Sequence, residues 1–166
     1  GIYDTPLHGL VRRFLVKDMP GFKVGIFGLG IGLEGVVDPG LYGGVKSRDP
    51  EVWANGMVRS LRNFHNCDLV ICLSHLGYKY EDPKRMDDVT LAQKVTGIDL
   101  IIGGHTHTFI DEPAIIKNPS GSNTIVTQMG HSGIRLGRID VDLPKYLQSE
   151  SPNEGISSEY YTIGPV

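Results

Sequence analysis

Gly97-Ile98-Asp99-Leu100-Ile101-Ile102-Gly103-Gly104-His105-Thr106-His107 is a short apolar run that stops at two glycines and then presents two histidines. An earlier stretch, Asp68-Leu69-Val70-Ile71-Cys72-Leu73-Ser74-His75-Leu76-Gly77, has the same design. A short, nearly continuous apolar run bounded by turn residues reads as a strand buried on both faces. Between the two runs, Asp87 or Asp88 is placed to cap a short helix through Val95, with Gly97 as its stop. Before the first run, Ser47 or Asp49 caps another helix, with Pro50 in its first turn and Glu51 beside the positive end of the dipole. Trp53, Met57, Leu61 and Phe64 recur on one face, so the spacing predicts a helix of about fifteen residues ending near Asn66.

Working outward, residues 22–29 (FKVGIFGL) read as a further strand. Residues 10–17 pair with them as a hairpin across Met19-Pro20-Gly21. Strand, helix, strand, helix, strand is two linked βαβ units, so the strands at 22–29, 68–73 and 98–102 should run parallel in an α/β domain. Ligands of such sheets gather beyond the carboxyl ends of the strands. His75 lies just past the end of one strand, and His105 and His107 lie past the end of another, so the topology should bring the three imidazoles together. Imidazole nitrogen suits zinc, manganese, iron and similar metals.

The last third changes style. Residues 113–117, 124–129 and 134–143 read as short strands of an antiparallel meander, separated by Asn118-Pro119-Ser120-Gly121 and Gly130-His131-Ser132-Gly133. The domain is expected to end at residue 143. Residues 144–166, polar and without clear periodicity, are expected to form a surface-wrapping or partly disordered tail. Residues 30–46 are glycine-rich and too long for a simple connection, which marks a candidate functional loop.

Composition excludes several classes. The net charge of the 166 residues is −3 with both signs interspersed, so no basic stripe points to a nucleic-acid polymer. No apolar run reaches the roughly 18 residues of a membrane span, and residues 1–6 do not resemble a signal peptide. Cys67 and Cys72, some 16 Å apart on an extended strand, cannot reach the Cα separation of less than about 7 Å that a disulfide needs. They read as free buried thiols, not nucleophiles.

Other motifs are weaker. Gly30-Ile31-Gly32-Leu33-Glu34-Gly35 matches the dinucleotide pattern, but Val36-Val37-Asp38-Pro39-Gly40 follows where a helix should open. There is no Gly-x-Ser-x-Gly elbow. His65 sits at a helix C-terminus, where a cation meets the dipole favourably. His131 lies in a hairpin-like turn facing solvent, and His8 carries no signal. Asp82, Asp87, Asp88 and Asp111 read as caps and solvated loop charges.

The segments FKVGIFGLG, DLVICLSHLG, GIDLIIGGHTHT, NTIVTQMG and LGRIDV resemble the second half of a calcineurin-like metallophosphoesterase of the 5′-nucleotidase type, over residues 10–143. The resemblance implies half of an αββα sandwich of two mixed sheets. It also implies metal-dependent hydrolysis of a phosphomonoester, a nucleoside monophosphate giving nucleoside and phosphate. Two divalent metals, zinc, manganese or similar, serve the intact family site. By the resemblance His75 and His105 would ligate one and His107 the other. The family's Asp-x-His, Gly-Asp and Gly-Asn-His-Glu segments are not found in this chain. The metal site is therefore expected to be incomplete and the isolated chain inactive, with no catalytic or substrate-binding residue assigned to it. An uncovered sheet face would associate with the missing N-terminal half or with a second copy. Export to the periplasm or cell surface is a further implication of the resemblance. The alternative is a non-catalytic half-fold module that binds a partner chain through that face.

Overall fold

A computed structural model describes residues 8–43, 45–148 and 155–163. Residues 1–6 therefore lie outside the described residues. β1 (Phe14–Met19) and β2 (Phe22–Gly30) form the expected antiparallel hairpin, from Phe14 opposite Phe27 to Met19 opposite Phe22. Gly21 takes a φ of +87° in the tight turn, which glycine adopts without a Cβ clash. The first strand starts at Phe14 rather than residue 10, because Gly9, at φ +81°, turns the preceding chain away.

α1 (Pro50–Arg59) starts where expected. The Asp49 carboxylate accepts the Val52 N–H at 2.9 Å, which satisfies one orphan donor of the first turn. The helix then widens into a π-helical turn over Ser60–Phe64. One added residue advances the following side chains by about 100°. Phe64 is carried off the apolar stripe and stands 77% exposed, while Met57 and Leu61 stay buried. β3 (Leu69–His75), α2 (Asp88–Lys94) and β4 (Leu100–Ile102) complete the two βαβ units, with Asp87 capping α2 through the Thr90 N–H at 2.7 Å. β2, β3 and β4 are parallel, as read from the sequence.

The meander expectation is corrected. β5 (Ala114–Lys117) and β6 (Asn123–Thr127) are an antiparallel pair, but β6 inserts parallel to β4 and leaves β5 at the edge. The sheet order is β1-β2-β3-β4-β6-β5. β7 (Arg135–Val141) leaves this sheet. After α3 (Leu143–Gln148), it pairs antiparallel with β8 (Ile156–Thr162) in a second, two-stranded sheet. The stretch beyond residue 143 thus holds a helix and a strand, although residues 149–154 and 164–166 lie outside the described residues. The polar strand Ile-Ser-Ser-Glu-Tyr-Tyr-Thr has no apolar alternation to announce it.

α1 and α2 cover one face of the main sheet over a core that includes Phe27, Leu61, Val70, Cys72, Leu91, Ile101 and Val126. Both cysteines are buried and free. On the opposite face the strand register lines up Leu15, Ile26, Ile71, Leu100, Ile125 and Ile115 across all six strands. Leu100 and Ile125 are buried, and β8 faces Ile115 and Ile125 across a cavity of about 740 Å³. Leu15, Leu73 and Ile102 on the same face are exposed.

Candidate functional site

His75 is the last residue of β3, opposite Gly30 of β2 in strand register. β4 ends one strand over and releases the chain into Gly103-Gly104-His105-Thr106-His107. The His75 and His105 rings meet edge-on with centroids 5.2 Å apart. The double glycine makes this approach possible. A β-carbon on Gly104 would sit 3.0 Å from His75 Nδ1, and one on Gly103 would overlap Asp88 Oδ2.

His105 and His107 both adopt left-handed backbone, at φ +74° and +55°. For residues with a Cβ this conformation costs roughly 1–2 kcal/mol each, so the surrounding bonds must hold it. Gln128, fully buried just beyond β6, is the clamp. Its Oε1 accepts the Thr108 N–H at 2.5 Å and the Thr106 hydroxyl at 3.1 Å, and its Nε2 donates to the Gly104 carbonyl at 2.7 Å. Gly103 N–H donates to the Thr127 carbonyl, and Tyr78 N–H donates to Thr106 Oγ1. The histidine loop is thereby tied to the segment following His75.

Beneath the loop lies Asp88, a fully buried carboxyl. Its Oδ1 accepts the Ser74 hydroxyl, and its Oδ2 has no hydrogen-bond partner. Burial raises its pKa to about 7, with the Asp87 charge adding to the rise and the Ser74 bond opposing it. The sequence reads Asp88 as a cap or a solvated charge. It is neither, because Asp87 takes the cap. Burial, reinforced by His75, Arg85 and His107, pulls the His105 pKa below its ordinary value.

His131 is exposed in its turn, as read, but its ring lies 4.9 Å from His107 and 5.8 Å from Phe109. The imidazoles therefore form two neighbouring pairs, His75 with His105 and His107 with His131. Reading β6 as parallel to β4 would have exposed the second pair, since the turn after β6 then emerges beside the turn after β4. His65 lies elsewhere, 4.9 Å from Phe14. Asp82 accepts the Lys84 N–H, and Asp111 pairs with Arg135.

Imidazole is a suitable donor for the divalent metals that the resemblance implies. Among the described residues, however, no three His, Cys, Asp or Glu side chains converge on one point. These residues alone do not fit a complete metal centre.

The trifunctional nucleotide phosphoesterase protein YfkN of Bacillus subtilis (strain 168) is 34% identical over 146 residues, covering 86% of this chain and 9% of that protein. The crystal structure of a 5′-nucleotidase precursor from Thermus thermophilus matches with a TM-score of 0.77 at 26% identity, over 96% of this chain and 31% of that one. The chain belongs to the calcineurin-like phosphoesterases of the 5′-nucleotidase type. The crystal structure of calcineurin-like phosphoesterase YfkN from Bacillus subtilis shares the fold, with a TM-score of 0.62 at 20% identity over 90% of this chain and 50% of that one. No protein-family model matches the chain. This phosphoesterase chain spans less than a third of the length of the curated relatives it matches. No helix among its described residues is long and apolar enough to cross a membrane.

Proposed function

We propose that this chain is a segment of a metal-dependent phosphomonoester hydrolase that converts a nucleoside monophosphate to nucleoside and phosphate. In this reading His75, His105 and His107 are its contribution to the site. The edge-on approach of His75 to His105 at the carboxyl ends of two parallel strands carries the reading. The lowered pKa of His105 supports it, because a protonated imidazole cannot ligate. Together with further donors, His75, His105 and His107 would help to hold divalent metals, whose contribution would be Lewis-acid chemistry at a phosphoryl group. In this reading the remaining donors come from an N-terminal half of the catalytic domain, and the exposed Leu15, Leu73 and Ile102 offer the face for it to cover. The isolated chain is inactive. The relatives' membership of a group that includes a precursor protein favours export.

The test is phosphate release from a nucleoside monophosphate, with manganese or zinc added. The 166-residue chain alone should be silent. A polypeptide that also carries the covering half should be active and should lose that activity with His105→Ala. Silence of the completed protein toward a broad phosphoester panel overturns the hydrolase reading. Activity of the isolated chain overturns only its incompleteness and points to a homodimer. The exposed apolar row also favours a second reading, a non-catalytic module. In that case partner binding would need no metal and would survive His105→Ala.

A further inference from the structure

The structure divides four imidazoles into two pairs, whereas the resemblance implies one set of three. His107 stands with His131, their ring centroids 4.9 Å apart and their planes at 34°. Consider two imidazoles that share one cation through metal–nitrogen bonds of about 2.0–2.1 Å. With donor directions about 90–110° apart, their ring centroids lie roughly 4.5–5.3 Å from each other. His107 and His131 already stand at that separation. Both residues are exposed, so an ion can reach them and water can complete its coordination. The two loops that carry them are joined by backbone. Gly130 N–H donates to the Thr108 carbonyl at 2.8 Å, and Ile110 N–H donates to the Gln128 carbonyl at 3.0 Å. Phe109 packs so closely on the His131 turn that a β-carbon on Gly130 would overlap its ring. His131 Nδ1 shares a hydrogen bond of 2.9 Å with Ser132 Oγ, and a partner on one ring nitrogen orients the other for a metal. Arg135, 4.9 Å from the Phe109 centroid, is paired with Asp111, so its charge is compensated.

We propose that His107 and His131 form a two-imidazole site for a divalent transition-metal ion, separate from the His75–His105 pair. Donors held in place before the ion arrives spare the cost of ordering them. Imidazole nitrogen favours ions late in the first transition series, with nickel and copper above iron and cobalt. A pair without a carboxylate gives no hold on magnesium or calcium, which take oxygen ligands. The inference extends the hydrolase reading, with which it shares His107, by adding His131. Its geometry requires neither a substrate nor the covering half.

The experiment titrates the untagged 166-residue chain with nickel(II), following heat by calorimetry and the histidine ring signals by NMR. The paramagnetic ion should broaden the His107 and His131 signals at one and the same nickel concentration. A His75→Ala/His105→Ala chain should still bind one ion. Adding His131→Ala to it should weaken that ion at least roughly tenfold, since one of two donors is lost. His131 is exposed in its turn, so its replacement should keep the fold, as circular dichroism would show; His131→Asn is the second probe. His65→Ala, remote from both pairs, should change nothing. The proposal is overturned if affinity survives the loss of His131, or if the His75→Ala/His105→Ala chain binds no ion at millimolar nickel. Should that chain not fold, broadening of His107 without His131 in the parent overturns it instead. The hydrolase reading fails separately. A completed protein that is silent toward phosphoesters, yet holds nickel through His131, overturns that reading alone. A completed protein whose hydrolysis needs His105, but whose ion binding ignores His131, overturns this inference alone.

Discussion

The buried carboxylate of Asp88 fills the space where a β-carbon on Gly103 would stand. The first glycine of the histidine loop is thus a packing requirement of α2 against the end of β4. Gly103→Ala should destabilise the fold by about 1–3 kcal/mol, the usual penalty of overpacking. Because the clash is with Asp88, adding Asp88→Ala should recover most of the loss. Denaturant unfolding of the two single variants and the double variant gives the coupling energy. Additive losses would show that the clash is not the cause.

Asp88 also makes stability depend on pH. Its folded pKa, about 7, lies above the ordinary carboxylate value of 3.8. Its contribution favours the folded state fully below about pH 4 and is lost as pH rises towards 7. Asp88→Asn should therefore be more stable than the parent at pH 8, with the advantage shrinking as pH falls through this window. The limiting slope is about 1.4 kcal/mol per pH unit. Melts from pH 4 to 8 decide the matter. A difference that does not vary with pH would mean that Asp88 does not titrate in this range.

Gln128 supplies the bonds that hold His105 and His107 in left-handed backbone. Gln128→Leu would leave the Thr108 N–H and the Gly104 carbonyl unpaired, each at a penalty of roughly 1–3 kcal/mol. The expected result is faster amide exchange at Thr108, exceeding the change in the strand amides of β3. Unchanged protection at Thr108 would show that the loop is held by other bonds.

The strands that deliver His75 and His105 were legible because each is an apolar run punctuated by glycine and histidine. The start of α1 was legible because Asp49-Pro50-Glu51 meets the needs of a helix N-terminus. The partner of β6 was not. Its Thr124 and Thr127 look like solvated positions, one on each face, yet both are buried, and Thr124 Oγ1 donates to the Ile98 carbonyl at 2.7 Å. A buried Thr124 hydroxyl satisfied by a neighbouring backbone carbonyl disguised a central strand as a solvated one. The missed position of His131 follows from the same misreading. Asp88 escaped notice for a different reason, since sequence cannot say which of two adjacent aspartates caps and which is buried.

α3 is tied to the main sheet through the bond from Tyr146 to Asp99. Arg62 donates to the carbonyls of Gly97, Cys67 and Asp68 and pairs with Asp99 at 2.5 Å. Asp99 also accepts the Val70 N–H at 2.6 Å and the Tyr146 hydroxyl of α3 at 3.0 Å. Burial raises the Asp99 pKa, with Arg62 opposing the rise. Arg62→Met strips a largely buried carboxylate and three carbonyls of their donor, and loss of one partner of such a pair costs about 3–5 kcal/mol. Tyr146→Phe removes one hydrogen bond and should cost about 0.5–1.5 kcal/mol. Since that bond leads only to α3, Tyr146→Phe should raise protease sensitivity around α3 while leaving the global melt nearly unchanged. Equal losses from the two variants would show that α3 and the sheet unfold as one unit.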